Sequence, residues 1–282
     1  MKSLVKKIVL WIFWFSLGRK NLARFARFLG NEARLDVCKN ITSNGESLVQ
    51  EIVLKYAPRD KSLLVFDVGA NVGDWTRVLM VKCAELRPNK ANTKVFMFEP
   101  CASTYEDLQK AMQSWSGDVI MVKKALSNNV GKSKLYVVAK GAGRNSLYPQ
   151  LDENIALRET VELTTVDLFS QEACISHITF LKVDAEGHDM LVIEGASKMI
   201  KQQAIELIQF EYNYRWVDSR RYLRDAFDFL TPHGYKIGKI TPKGIEFYKE
   251  WHPELESFRE ANYLACIEEW TKRFPTIRWW NE

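Results

Sequence analysis

The chain has 282 residues, 46% of them hydrophobic and 27% charged, with a formal net charge of +5. That suffices for one large domain with a sizeable core, or one domain with an appendage, and excludes a disordered or fibrous chain. The charge is uneven: residues 1–34 carry Lys2, Lys6, Lys7, Arg19, Lys20, Arg24, Arg27 and Arg34 against Glu32 alone, a balance of +7, so the rest of the chain sums to −2. The body is therefore no basic nucleic-acid platform, and no nucleic-acid partner is expected. Cys38, Cys83, Cys101, Cys174 and Cys266 are scattered, odd in number and without a C-x-x-C pair. They point to neither a zinc cluster nor a disulfide framework, which fits a reducing compartment. Cys101 reads as a small buried filler.

Residues 1–34 read as a separate appendage, and 35–282 as the main domain. Ile8 to Leu17 are mostly apolar and lie between lysines and Gly18-Arg19-Lys20. As a helix they would span roughly 15 Å, about half the hydrocarbon thickness of a bilayer, too little to cross it. In the next stretch Leu22, Phe25, Ala26 and Leu29 share a helical face. Tryptophans, phenylalanines and cations in this arrangement suit a helix lying in a membrane interface. A cap on the domain core or a dimer contact are the other readings. A signal peptide is disfavoured, because no A-x-A-like cleavage site follows.

From Ser47 onward, strand-like and helix-like stretches alternate. SLVQEIVLKYA reads as a helix, KSLLVFDVG as a buried strand and DWTRVLMVKCAEL as a helix. TKVFMFEP is a second strand, CASTYEDLQKAMQSW a helix that Ser103 can cap near its start, and DVIMVKKAL a third strand. KSKLYVVAK and ETVELTTVDLF add strands around the polar loop GAGRNSLYPQ. ITFLKVDAEG is a buried strand, HDMLVIEGASKMI a helix, IELIQFEYN a strand and DSRRYLRDAFDFLTPHG a helix. YKIGKI and ANYLACIEE close as strands, and KEWHPELESFREANY reads as solvated helix or loop. Near-continuous apolar strands alternating with helices predict an α/β fold, with a mostly parallel sheet, helices on both faces and an antiparallel edge.

Four strands end in acids: Asp67, Glu99, Asp184 with Glu186, and Glu211. Ligands of open parallel sheets sit beyond the carboxyl ends of the strands. Like charges gathered in one crevice there ask for a cationic or hydroxyl-rich ligand. The run VFDVGANVG spaces its glycines G-x-x-x-G, Gly69 to Gly73. That departs from the G-x-G-x-x-G of a dinucleotide fold, and no P-loop motif exists anywhere in the chain. The D-x-G-x-N-x-G turn, with an acid ending the next strand, is similar to the S-adenosylmethionine site of class I methyltransferases.

The motifs FDVGANVG, FMFEP, VKKALSNNVGKSKLYV, the NSL loop, VELTTVDLF, ITFLKVDAEGHDMLVIEGA and IQFEYN follow the order seen in the FkbM family of methyltransferases. The chain resembles that family over roughly residues 60 to 265, most specifically in DVGAN together with K-x-D-x-E-G-x-(D/E). Two departures are modest: His188 sits where the family varies, and Asp189 where Glu is common. The resemblance implies a Rossmann-like class I methyltransferase fold and S-adenosylmethionine as cofactor. It implies that Asp67, Gly69, Ala70, Asn71 and Gly73 hold the methionine end, and that Glu99, followed by Pro100, takes the ribose hydroxyls. Ala125, Leu126 and Ser127 then fall at the adenine edge, Asn145 and Ser146 on a lid, and Asp184 nearest the reacting methyl.

Glu186, His188 and Glu211 are, with Asp184, the candidates for base or acceptor binding. His188 titrates in the range of a general base. Equally, it reads as a helix-start residue that bonds a neighbour. Asp184, Glu186 and Glu211 together are compatible with a magnesium ion, although a metal-independent reaction is preferred. Tyr212, Asn213, Tyr214, Arg215 and Trp216 offer aromatics and a cation to a sugar ring; core packing of the aromatics is the alternative. The leading expectation is an O-methyltransferase acting on a hydroxyl of a saccharide, glycan or related natural product. It would be cytoplasmic and peripheral at the inner face of the membrane through residues 1–30. A lipid or small-metabolite acceptor is the second reading, and a non-catalytic binding module in a glycan-assembly complex the third. The acids retained at Asp67, Glu99 and Asp184 speak against that module.

Overall fold

A computed structural model describes residues 2–35, 40–60, 62–87, 93–115, 117–138, 145–149 and 157–281. Cys38 and residues 141–144 and 150 of the polar loop lie outside the described residues. Two compact units result, Met1–Lys39 and Asn40–Glu282.

The first unit is helical: α1 runs over Lys2–Ala33, broken at Gly18, whose φ of 69° and ψ of 159° are not helical. Glycine reaches that conformation without a steric penalty. Trp11, Trp14 and Phe15 are 57–82% exposed, and the Trp11 and Phe15 rings stack one turn apart at 5.6 Å. Among the described residues, no helix is long and apolar enough to cross a membrane.

In the second unit the order is α2 (Glu46–Tyr56), β1 (Leu63–Val68), α3 (Asp74–Leu86), β2 (Thr93–Phe98), α4 (Ala102–Ala111), β3 (Val119–Val122), β4 (Ala125–Leu126), β5 (Gly131–Val137) and β6 (Leu157–Thr164). There follow α5 (Val166–Glu172), β7 (Ile178–Val183), α6 (Asp189–Glu194), α7 (Ser197–Lys201), β8 (Ile205–Tyr212), α8 (Leu223–Leu230), β9 (Tyr235–Thr241), β10 (Gly244–Phe247), β11 (Ala261–Ile267) and α9 (Glu268–Thr271). The main sheet has eight strands in the order β10-β9-β11-β8-β7-β1-β2-β3. The pairs among β3, β2, β1, β7 and β8 are parallel, whereas β11 runs antiparallel between β8 and β9, and β10 antiparallel to β9. The expected parallel sheet with an antiparallel edge is present.

Strand β1 is buried along its whole length, and its side chains divide between two cores. Leu64, Phe66 and Val68 pack with residues of α5, α6, α7 and α8, such as Val166, Met190, Met199 and Phe227. Leu63 and Val65 pack with Val49 of α2, Leu79 of α3 and Leu108 of α4. Helices therefore cover both faces, which is why the parallel strands read as unbroken apolar runs. The chain departs from β1 in opposite lateral directions, to β2 and β3 on one side and to β7 and β8 on the other. The crevice of such a sheet opens where the order reverses, beyond the ends of β1 and β7.

Four local expectations change. The run DVIMVKKAL divides: β3 joins the main sheet, while β4 joins a separate sheet ordered β4-β6-β5 with its own small core around Cys101, Ala125, Leu135 and Val161. The strand predicted through Phe169 stops at Thr164, because the Thr165 side chain accepts the Leu168 N–H at 3.0 Å and starts α5. Ser103 does not cap α4; the carboxylate of Glu159 accepts the Ala102 N–H instead, at 3.1 Å. The helix expected over residues 188–200 is two short ones, with Gly195 between them, where a Cβ would lie 2.0 Å from the Ser127 carbonyl oxygen. That contact brings the turn after β4 against the end of α6.

Candidate active site

A cavity of about 700 Å³, counting the space open to solvent, lies beyond the ends of β1, β2 and β7. Of the site residues expected from the sequence, Gly69, Asn71, Glu99, Pro100, Ala125, Leu126, Asn145, Asp184, Glu186 and His188 line it. Val68, Phe98, Lys124, Leu135, Leu147 and Ala185 complete the wall and were not singled out from sequence.

The glycine turn works differently from the expectation. Gly69 N–H and Ala70 N–H both donate to the Phe98 carbonyl at 3.0 Å, and Asn71 N–H donates to Glu99 Oε2 at 3.0 Å. The N–H groups are satisfied within the protein, so this is no anion-binding nest. Gly69, at φ 71°, is glycine because a Cβ would sit 1.8 Å from the Asp184 carbonyl oxygen, where the turns after β1 and β7 touch. Gly73 is glycine because a Cβ would crowd Leu108 and Met112 at 2.9–3.0 Å. Its role is packing, and neither Gly73 nor the buried Ala70 is on the cavity wall.

Glu99 follows β2 and is buried. Each carboxylate oxygen accepts one backbone N–H, Oε2 from Asn71 and Oε1 from Cys101 at 2.9 Å. Each keeps a further lone pair for a ligand. Burial raises its pKa to about 7, against the lowering effect of the two N–H bonds and Lys182.

Asp67 does not reach the cavity. It is fully buried, accepts the Thr76 hydroxyl at 2.7 Å and pairs with Lys182 Nζ at 3.0 Å. Lys182 Nζ also lies 3.6 Å from Asp184 Oδ2 and donates to the Gly69 carbonyl at 3.3 Å. Burial opposes its charge, but Asp67 and Asp184 overcome that penalty and hold its pKa above the usual lysine value. The register makes the arrangement: Asp67, Lys182 and Gln209 are aligned across β1, β7 and β8, and Gln209 Nε2 donates to Glu46 at 2.6 Å. Lys182 escaped the sequence reading, although a charge inside a buried apolar strand signals a paired site.

In the turn after β7, Glu186 adopts φ 52° and Gly187 φ 93°. Asp189 braces it by accepting the N–H groups of Ala185 and Gly187, both at 3.1 Å, and burial raises its pKa to about 7. Glu186 Oε2 pairs with Arg215 Nη1 at 2.9 Å. His188 lies between the Tyr148 hydroxyl, 2.8 Å from Nδ1, and the Ser127 hydroxyl, 3.0 Å from Nε2. Burial lowers its pKa to about 4. Both ring nitrogens are engaged and the ring is a weak base, which favours the neighbour-bonding reading over the general base.

Ser127 and Ser146 are buried behind the wall, Ser146 donating to the Glu186 carbonyl at 2.9 Å. Glu211 accepts Asn213 Nδ2 at 2.6 Å. Burial raises its pKa well above the carboxylate range, reinforced by Asp184, Glu186, Asp189 and Glu260. Of the strand-end acids, Glu99, Asp184 and Glu186 line the cavity, whereas Asp67 and Glu211 do not. The aromatic segment divides: Tyr212 and Trp216 are fully buried core, Asn213 and Arg215 are buried braces, and only Tyr214 is exposed, at 63%. Tyr212 and Trp216 thus offer no face to a sugar; the period of a buried strand end outweighs their amphipathic chemistry. Among the described residues, no group of three or more His, Cys, Asp or Glu side chains could hold a metal ion.

Replacing Lys182 by Met would leave Asp67 buried without its cation. We expect a loss of about 3–5 kcal/mol in urea-unfolding free energy; a loss below about 1 kcal/mol would show that the pair is dispensable.

The methyltransferase FkbM domain model matches residues 67–237. Hexuronic acid methyltransferase AglP of Haloferax volcanii is 23% identical over 235 residues, covering 79% of this chain and 90% of that protein. Among crystal structures, methyltransferase FkbM from Methylobacillus flagellatus KT aligns with a TM-score of 0.44 and 15% identity, over 76% of this chain and 47% of that one. This chain thus spans about half the length of that structure. Precorrin-6y C5,15-methyltransferase from Geobacter metallireducens GS-15 aligns with a TM-score of 0.40 and 12% identity, over 82% and 93%. With the family model covering more than half of its length, the chain belongs to the FkbM family of methyltransferases.

Proposed function

We propose that this enzyme transfers a methyl group from S-adenosylmethionine to a hydroxyl of a saccharide or glycan. The observation that carries the cofactor reading is Glu99: a buried carboxylate at the end of β2, with a lone pair left on each oxygen, opening on a cavity with Asp184 on its wall. A ribose diol offers two donors to those two acceptors. The apolar wall of Phe98, Leu126 and Leu135 suits an adenine ring, and acids beside the β1–β7 turns suit a cationic methionine end. The likeness to a hexuronic acid methyltransferase supports a saccharide acceptor.

S-adenosylmethionine, when bound, supplies an electrophilic methyl group on a sulfonium. The protein's work is to align the acceptor and exclude water. Gly69 and Asn71 shape the methionine end, and Asp184 faces the reacting centre from the end of β7. The acceptor hydroxyl loses its proton during transfer, and a carboxylate is the group to receive it, since His188 is held neutral. Glu211, held above the usual carboxylate range, is a stronger base than an ordinary glutamate once ionised. Tyr214 offers its exposed ring to the acceptor.

Two measurements test this reading. Cofactor binding requires ionised Glu99, whose pKa of about 7 in the free protein sets the sign. Affinity for S-adenosylmethionine is flat above pH 7 and falls about tenfold per unit below it, as one proton must be released. Calorimetry in two buffers at pH 6 reads that proton; affinity that rises on acidification would refute the role. For the acceptor, uronic-acid-containing oligosaccharides incubated with enzyme and cofactor should gain one methyl increment by mass spectrometry. Transfer to lipids or small metabolites alone would overturn the saccharide reading.

We further propose that residues 1–30 hold the enzyme on an anionic membrane surface from the cytoplasmic side. Support comes from the exposed Trp11, Trp14 and Phe15 set among seven cations, an interfacial rather than spanning arrangement. The full chain should co-sediment with vesicles containing phosphatidylglycerol at low salt and be released by salt. Equal recovery with neutral vesicles, or none with either, would refute it.

A further inference from the structure

His188 is clasped at both ring nitrogens, and its two partners come from different parts of the chain. Ser127 follows β4, and its one hydroxyl proton points to the side-chain amide oxygens Asn128 Oδ1, 3.5 Å away, and Asn129 Oδ1, 3.4 Å away. Its oxygen therefore accepts from His188 Nε2–H, at 3.0 Å. That leaves Nδ1 with the lone pair, and the Tyr148 hydroxyl, 2.8 Å away, donates to it. The rings of Tyr148 and His188 lie 5.6 Å apart. Burial holds the Tyr148 phenol at a pKa of about 12, so it keeps its proton.

The segment around Tyr148 is anchored a second time. The Ser146 hydroxyl donates to the Glu186 carbonyl at 2.9 Å and accepts the Tyr148 N–H at 3.2 Å. Ser146 also bridges to Tyr136 of β5 through paired backbone hydrogen bonds. Asn145 and Leu147, on either side of Ser146, line the cavity, as does His188 itself. Three stretches that form the wall thus meet at one imidazole: residues 145–149, the turn after β7, and the turn after β4 that the proposed function places at the adenine edge.

We propose that Tyr148 is a positioning residue: its hydroxyl fixes His188 as a neutral Nε2–H donor to Ser127, and the resulting Tyr148–His188–Ser127 clasp holds the cavity wall in its ligand-binding shape. The assignment of the clasp to cofactor binding rests on the function proposed above; the hydrogen-bond chain does not. It gives His188 a structural task that requires it to stay neutral.

The test uses the full chain labelled with ¹⁵N-histidine. In the wild type at pH 7, His188 should show an unprotonated Nδ1 and a protonated Nε2. In Tyr148→Phe the Nδ1 resonance should shift as its donor is lost, and the Kd for S-adenosylhomocysteine should rise about threefold to tenfold, the range for one hydrogen bond. KM for the methyl donor should rise with it, while kcat at saturating donor changes less. A protonated Nδ1 in the wild type, or an unchanged His188 spectrum and Kd in Tyr148→Phe, overturns the clasp. Should Tyr148→Phe not fold, Ser127→Ala reads the other half: its Nε2 resonance should shift while Nδ1 stays unprotonated, and a spectrum identical to wild type counts against the proposal. A wild type that binds no S-adenosylhomocysteine would overturn the cofactor reading instead, and the ring resonances would still judge the clasp.

Discussion

The ammonium of Lys182 is the constraint on which the crevice depends. Parallel strands bring their carboxyl ends together, and here those ends carry Asp67, Glu99, Asp184 and Glu211. One fully enclosed cation, 3.0 Å from Asp67 and 3.6 Å from Asp184, offsets enough of that charge for the strands to sit side by side. It also donates to the Gly69 carbonyl, so the group that balances the acids tethers the turn after β1. Remove the cation, and both the charge balance beneath the crevice and the geometry of the turn above it lose their support.

Glu211 and Glu186 show how the remaining charge is handled. Glu186 has Arg215. Glu211 has an amide donor from Asn213, and burial, reinforced by four neighbouring acids, raises its pKa. The two carboxylates, one strand apart, thus meet their charge in different ways, one with a guanidinium and the other with an amide. In the proposed reaction the arginine-paired acid holds its shape while the amide-bonded one receives the proton.

Much of this was legible in the sequence, for definable reasons. Apolar strand runs marked which segments enter the main sheet, because strands covered on both faces leave no polar alternation to misread. Acids at strand ends stood out because a charge next to an apolar run has few other places to go. What escaped reading were effects of tertiary contact. Thr165 ends a strand by capping a helix, a choice that ETVELTTVDLF leaves open between two periodicities. Gly195 stands at the break between two helices, where a Cβ would meet the Ser127 carbonyl oxygen, and those residues are 68 apart in the chain. Tyr148 stands in a loop whose composition reads as solvent-facing, and only the fold shows that its hydroxyl meets an imidazole. Tyr212 and Trp216 read as a sugar platform with core as the alternative, and their complete burial in the core around β8 decides for core.

The glycine turn sets the sign of the site. A phosphate-binding loop leaves its N–H groups pointing into the ligand site, and the ligand's negative charge satisfies them. Here the N–H groups of Gly69 and Ala70 go to the Phe98 carbonyl, and that of Asn71 to Glu99. The same bond that withdraws a donor from the cavity orients the Glu99 carboxylate into it. The site therefore offers acceptors and negative charge where a dinucleotide site offers donors. Glycine spacing alone indicates only a strand–turn–helix; the direction of three N–H bonds makes the turn hostile to a pyrophosphate and suited to a cation with a ribose. That is the physical content of the difference between G-x-G-x-x-G and the D-x-G-x-N-x-G found here.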